Sequence, residues 1–246
     1  MPLEIIAHRG YSSIAPENTL AAFLAAIEHQ ADSIEFDVQL SADGVPMVIH
    51  DSTLTRTTRI RGKVRKKTLE QIKRREAGSW FDLRFKGEPI PTLEEALSAL
   101  QNIKKFIYIE VKTHSYWTDE KIDELIDMLL KYQFENRCII ASFNASFIDR
   151  IRERSDNFSF AYLVANRTAF RRQLTKAAQA GNTVMMSKYK LLIKNPSLIS
   201  LSRAQGVDIV AWTVDKPKDL EKLLDLGIVR IATNCLVPEM LDRKIQ

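Results

Sequence analysis

Four short stretches concentrate the side chains able to do chemistry. "IIAHRG" ends an apolar run in His8 and Arg9, "SIEFDVQL" carries Glu35 and Asp37, "VPMVIHD" ends in His50, and "FIYIEVK" carries Glu110 and Lys112. In extended chain, residues two apart share a face. Ile34, Phe36 and Val38 therefore point one way, and Glu35, Asp37 and Gln39 the other. In the same manner Ile107, Ile109 and Val111 oppose Phe106, Tyr108, Glu110 and Lys112. Buried carboxylates are costly unless a cation pairs with them. Three acids with no cysteine among them suit a hard, oxygen-loving cation, Mg²⁺ or Ca²⁺ rather than zinc, with Mn²⁺ also admissible. Two histidines beside such a site suit acid–base work near neutral pH. Arg9 is able to fork to a phosphate oxygen, or instead to pair with Glu17. Lys112 offers a second cation. Metal, two cations and two histidines together describe phosphoryl chemistry. His29 and His114 fall outside the pattern.

These residues need elements that bring strand ends together. Strand-like runs occur at 4–8, 33–40, 106–112, 138–143, 158–164, 182–187, 207–214 and 229–233, and a short extended run at 45–50. Helical spacing of apolar residues marks 18–30, 92–102, 119–132, 144–154, 168–179, 196–205 and 216–226. Asn18, Asp119 and Asn144 are expected to cap helices, and Gly206 and Gly227 to stop them. Eight strands, each followed by a helix or loop, give the count of an α/β TIM (β/α)8 barrel. A doubly wound sheet normally carries a phosphate-binding glycine fingerprint, and this chain of eight glycines has none. Residues 52–91 are too long for a βα loop and read as a small inserted subdomain after the second barrel strand, within one domain spanning 1–246.

Composition narrows the class. At 246 residues with 45% hydrophobic and 27% charged content, the chain is ordinary globular protein. It contains no apolar run long enough to span a membrane and no signal-peptide pattern at its start. Cys138 and Cys235 read as buried free thiols of a cytoplasmic protein. Net charge is +5, yet residues 56–75 hold ten Lys or Arg against Glu70 alone. That basic stretch is either a solvated surface or an attractor of anions. Trp80-Phe81 reads as core of the insertion.

In order along the chain, "AHRG…PENT", "EFDVQLSADGVPMVIHD", "IPTLEEAL", "IEVK", "AWTVD" and "G…IATN" resemble the glycerophosphodiester phosphodiesterases. The resemblance covers essentially the whole chain and is most specific in its first fifty residues. It implies a TIM barrel with a small insertion and a metal-dependent hydrolase that releases glycerol 3-phosphate and an alcohol. His8 and His50 would be the acid–base pair. Glu35, Asp37 and Glu110 would bind one divalent cation, Ca²⁺ or Mg²⁺. Arg9 and Lys112 would hold the phosphate, Glu17 and Asn18 would belong to the supporting turn of the substrate site, and Trp212 would line its glycerol side. Family chemistry implies two steps through a cyclic phosphate. The family closes with T-D-x-P or T-N-x-P, whereas here Pro238 is displaced by two positions. The expected partner is a small glycerophosphodiester, without nucleic acid or stable membrane anchoring. Two other readings fit less of the sequence: a lysophospholipase D-like enzyme of the same fold, and a non-catalytic binder of anionic surfaces through the basic stretch.

Overall fold

The computed structural model describes residues 2–114 and 116–236, so Pro238 lies outside the described residues. Eight parallel strands close into a barrel: β1 (Glu4–His8), β2 (Ser33–Leu40), β4 (Ile107–Val111), β5 (Cys138–Ser142), β6 (Ser159–Val164), β7 (Thr183–Lys188), β8 (Ile209–Trp212) and β9 (Arg230–Thr233). Closure comes from β1, which pairs with both β2 and β9. The short β3 (Pro46–Val48) runs antiparallel to the end of β2.

Side-chain alternation sorts the core into two layers. Inward-facing Ile6, Tyr108, Ile139, Ala161, Leu163, Met186, Val210 and Ala232 fill the barrel. Outward-facing residues such as Ile34, Phe36, Ile107, Ile109 and Ile140 pack against the surrounding helices. Those helices are α1 (Leu20–Glu28), α4 (Leu93–Ala99), α5 (Asp119–Lys131), α6 (Ala145–Arg154), α7 (Arg167–Ala180), α8 (Tyr189–Lys194), α9 (Ser197–Ala204) and α10 (Pro217–Asp225).

Every strand and helix expected from the pattern is present. The differences lie at the edges. Thr19 and Thr118, not Asn18 and Asp119, cap α1 and α5, because their hydroxyls accept from Ala22 N and Lys121 N. Asn144 does cap α6. Helix α8 escapes the sequence pattern: it has six residues, and its N-cap Lys188 makes no capping bond. Cys138 is buried, but Cys235 is only partly so, and both thiols are free.

Between β3 and α4 the chain forms two short helices, α2 (Thr55–Thr58) and α3 (Leu69–Lys73), and two 3-10 turns. Met47, Ile49, Leu54, Val64, Ile72, Ala77 and Ile90 make a small apolar cluster of their own there. Trp80 and Phe81 are not in that cluster. Both are half-exposed and stack edge-on, because the cluster is filled by smaller aliphatic side chains.

The N-terminal floor of the barrel holds a closed polar knot. Buried Glu4 accepts from Ser33 Oγ (2.6 Å), Tyr108 OH (3.0 Å) and Arg230 Nε (2.8 Å). Arg230 also reaches Tyr108 OH (2.5 Å).

Candidate active site

Barrel register brings the chemistry-bearing residues together. His8 ends β1 directly opposite Glu35, and Asp37 sits opposite Glu110 in the β2–β4 pairing. All point inward at the C-terminal mouth, where barrel enzymes place their sites. Arg9 follows β1 in the left-handed region, at φ 60°. That turn lets its amide donate to Glu35 O (2.8 Å) and Glu35 Oε2 (3.1 Å). Gly10 comes next at φ 80°, where an added Cβ would strike Ala22 at 2.7 Å. So the pair after His8 is shaped by a turn only glycine completes.

Arg9 Nε lies 3.3 Å from Asp37 Oδ2, and its Nη1 donates to Glu17 Oε1 at 2.8 Å. Arg9 thus pairs with Glu17 through Nη1, and it also lines the cavity at the mouth. Lys112 Nζ contacts Asp37 Oδ1 (2.8 Å) and also Glu110. Asn18, at φ 57°, braces Asp37 from behind: its Nδ2 donates to Asp37 Oδ2 (2.8 Å), and its Oδ1 accepts from Asp37 N (3.1 Å).

Each histidine has a fixed partner. His8 Nδ1 meets Asn234 Oδ1 at 2.8 Å, and Ser12 Oγ donates to the same oxygen. Asn234 Nδ2 is directed to Asp215 Oδ2 (2.8 Å). This network assigns the His8 proton to Nδ1 and leaves Nε2 as an acceptor. His50 Nδ1 faces Asp51 Oδ1 at 2.7 Å.

A cavity of about 450 Å³ opens at this mouth. His8, Arg9, Glu35, His50, Glu110 and Lys112 form one wall, and Phe143, Leu163, Met186, Lys188 and Trp212 the other. Glu17 and Asn18 do not line it. They stand behind it as supports for Arg9 and Asp37. A larger hollow of about 920 Å³ lies beside Trp117 and Lys121; Asp43 and His114 are in its lining, but none of His8, His50, Glu35, Asp37 or Glu110 is.

The glycerophosphoryl diester phosphodiesterase family profile matches residues 8–236. The chain belongs to that family. It is a phosphoric diester hydrolase. The glycerophosphodiester phosphodiesterase of Caldanaerobacter subterraneus subsp. tengcongensis is 36% identical over 236 residues, covering 94% of this chain and 93% of that protein. A putative glycerophosphodiester phosphodiesterase of Bacillus subtilis is 38% identical over 232 residues, covering 94% and 93%. Among solved structures, a phosphodiesterase of Oleispira antarctica, in complex with its product sn-glycerol-3-phosphate, superposes with a TM-score of 0.88 at 26% identity, covering 99% of this chain and 97% of that one. Among the described residues, no helix is long and apolar enough to cross a membrane.

Electrostatics separate the three acids of this family member. Glu35 is pushed up to about 8, first by burial and then by the charge of Asp37. Glu110 rises to about 7 for the same two reasons. Burial also works against Asp37, but Lys112 and Arg9 outweigh it and hold its carboxyl well below the usual range. Burial lowers His8, helped by Arg9, and lowers His50 as well. Both histidines are thus biased toward the neutral imidazole.

Sequence reasoning missed Phe143, Lys188, Asn234, Asp215 and Asp51. Asp215, Asn234 and Asp51 lie inside motifs that carried the family resemblance ("AWTVD", "IATN", "VIHD"), so their signal was present without a role. Phe143 and Lys188 sit one residue past β5 and at the end of β7, positions that the alternation rule alone places at the mouth.

Proposed function

We propose that the chain hydrolyses glycerophosphodiesters to glycerol 3-phosphate and an alcohol, as one catalytic unit in which residues 52–91 form an inserted element. One observation carries the reading: two histidines with fixed partners line a single cavity at the barrel mouth with Glu35 and Glu110, and an oxygen of Asp37 lies within 4.8 Å of theirs.

The acids fit a divalent cation. One oxygen from each of Glu35, Asp37 and Glu110 lies within 4.8 Å of the others, with no nitrogen or sulfur in the set. Among the described residues, the lysine and arginine side chains paired with these three carboxylates are Arg9 and Lys112, and the raised values of Glu35 and Glu110 mark charge that these two leave uncompensated. When bound, Ca²⁺, Mg²⁺ or Mn²⁺ would supply Lewis-acid stabilisation of phosphoryl charge. The all-oxygen donor set supports that choice over zinc.

The chain's own residues account for the proton transfers. The substrate's glycerol 2-hydroxyl attacks phosphorus, and its O–H proton passes to His8 Nε2, which starts neutral. The P–O bond to the alcohol breaks, and His50 delivers a proton to the departing oxygen. This role requires the His50 imidazolium, which Asp51 at Nδ1 and the charge of Asp37 favour while burial, Lys112 and Arg9 oppose it. Water then opens the cyclic phosphate with the two roles exchanged. Effective molarities of about 10⁵–10⁸ M favour such an internal nucleophile. Arg9 and Lys112 orient the phosphate with the N–H groups their carboxylate pairs leave over. Trp212 lines the glycerol side, and its indole N–H, without a hydrogen-bond partner in the described structure, supplies a donor to a substrate hydroxyl.

Product analysis over a panel of glycerophosphodiesters tests the reading. Glycerol 3-phosphate and the free alcohol should appear, cease with EDTA, and return with Ca²⁺ or Mg²⁺. Undiminished turnover after exhaustive chelation removes the metal. Preference for lysophospholipids over short diesters replaces the substrate class.

A further inference from the structure

The first residue of the basic stretch behaves unlike the rest of it. Most of residues 56–75 are exposed, and their ion pairs are surface pairs such as Arg74–Glu70. Arg56 is exposed as well, but it makes two forks with one guanidinium. Its Nη1 and Nη2 donate to Glu17 Oε2 (2.7 Å) and Oε1 (2.8 Å). Its Nε and Nη2 donate to Asp51 Oδ2 (2.8 Å) and Oδ1 (3.0 Å). Each carboxylate passes the constraint inward: Glu17 Oε1 also receives Arg9 Nη1 (2.8 Å), and Asp51 Oδ1 also meets His50 Nδ1 (2.7 Å). The Trp80 ring centroid lies 5.9 Å from the Arg56 guanidinium carbon and backs it. Arg56 itself does not line the cavity.

We infer that Arg56 is a positioning residue that holds His50 and Arg9 in one register through Asp51 and Glu17. The physical reason is the shape of guanidinium. Its donors lie in one rigid plane, so two simultaneous forks fix the angle between two carboxylates that come from different loops. A lysine ammonium keeps the charge but has no such fork. This gives the segment after β3 a direct share in the geometry of the site. An ordinary surface ion pair would contribute little and leave turnover alone. The inference rests on the reading that His50 and Arg9 serve in diester hydrolysis. Wild-type turnover of a glycerophosphodiester is measured first, because its failure strikes that reading and not this one.

The test is kcat and KM for Arg56→Ala, Arg56→Lys, Asp51→Asn and Glu17→Gln at saturating divalent cation, with a melting curve for each. Misplacement of reacting groups is costly, so Arg56→Ala should lose about tenfold or more in kcat and also raise KM. Arg56→Lys should recover little. Millimolar guanidinium should restore part of the activity of Arg56→Ala but none of that of His50→Ala. The two arms should split: Asp51→Asn acts mainly on kcat through His50, and Glu17→Gln mainly on KM through Arg9. That split keeps the test intact if Arg56→Ala does not fold. The inference is overturned if Arg56→Ala stays within about twofold of wild type in both constants. It is equally overturned if Arg56→Lys restores full activity, or if both single-arm variants leave kcat and KM unchanged.

Discussion

The two ends of the barrel both bury charge, and they use it in opposite ways. At the floor, buried Glu4 has Arg230 as its cation, with Ser33 and Tyr108 completing its hydrogen bonds, and Arg230 also lies 3.6 Å from Asp208. At the mouth, among the described residues, Glu35, Asp37 and Glu110 pair with the two cations Arg9 and Lys112, beside a cavity of about 450 Å³ that Lys188 also lines. Burial of charge is therefore not in itself a sign of function. The signs are imbalance and access: a buried set one cation short, open on one side, is poised to bind what is missing. The floor pair fits a stabilising role because its buried acid already has its cation.

The sharpest way to break this contrast is at the histidines. His8→Ala or His50→Ala should lower kcat by about 10²–10⁴, the usual scale of acid–base catalysis, with the melting temperature little changed. Near wild-type kcat in a folded variant would make that histidine structural and erase the distinction for its half of the mouth. At the floor the effect should be comparable in size but of the other kind. Arg230→Met leaves Glu4 buried without its cation, so stability should fall by about 3–5 kcal/mol while kcat of the remaining folded enzyme is retained. Denaturant unfolding beside single-temperature kinetics checks this. A large fall in kcat with unchanged stability would show that the floor communicates with the site.

The smallest effect concerns pH and sharpens the picture of the mouth's outer rim. Hydrogen bonds from Arg56 and His50 hold the Asp51 carboxyl at about 2, below its ordinary 3.8, although burial opposes them. A depressed acid stabilises the folded state only when ionised in it. Its contribution is therefore full above about pH 4 and drains away as pH falls toward 2. Asp51→Asn should flatten the wild-type slope of stability against pH across that window. Identical slopes would mean that the Arg56–Asp51–His50 chain is not formed in solution.

Much of this architecture was legible because it depends on local rules. Period-two alternation alone put Glu35 and Asp37 on one face, and Glu110 and Lys112 on another, since a strand has only two faces. Helical spacing found seven of the barrel's surrounding helices. It failed for α8, where six residues between Lys188 and Asn195 are too few to show a period. It also failed on caps, because Asn18 and Thr19 are both capable, and Asn18 is taken up by Asp37 instead. For Trp80 and Phe81 the rule that aromatics fill cores gave way to a cluster already complete with aliphatic side chains.

By itself, then, the sequence determined the identity of the strands, the face each acid occupies, and a family resemblance strong enough to name the chemistry. The tertiary structure decided who meets whom. That Asp37 lies opposite Glu110, that Lys188 and Trp212 close the far wall, and that Asn234 reaches across 226 positions to His8 follow from barrel closure and strand register. Periodicity is a property of one strand, but register is a relation between two. Charge balance is likewise a property of a volume, and sequence order does not measure volume. Only the folded barrel shows that three acids pair with two cations at one place, and that Arg56, read as one of ten basic residues, ties two loops behind them.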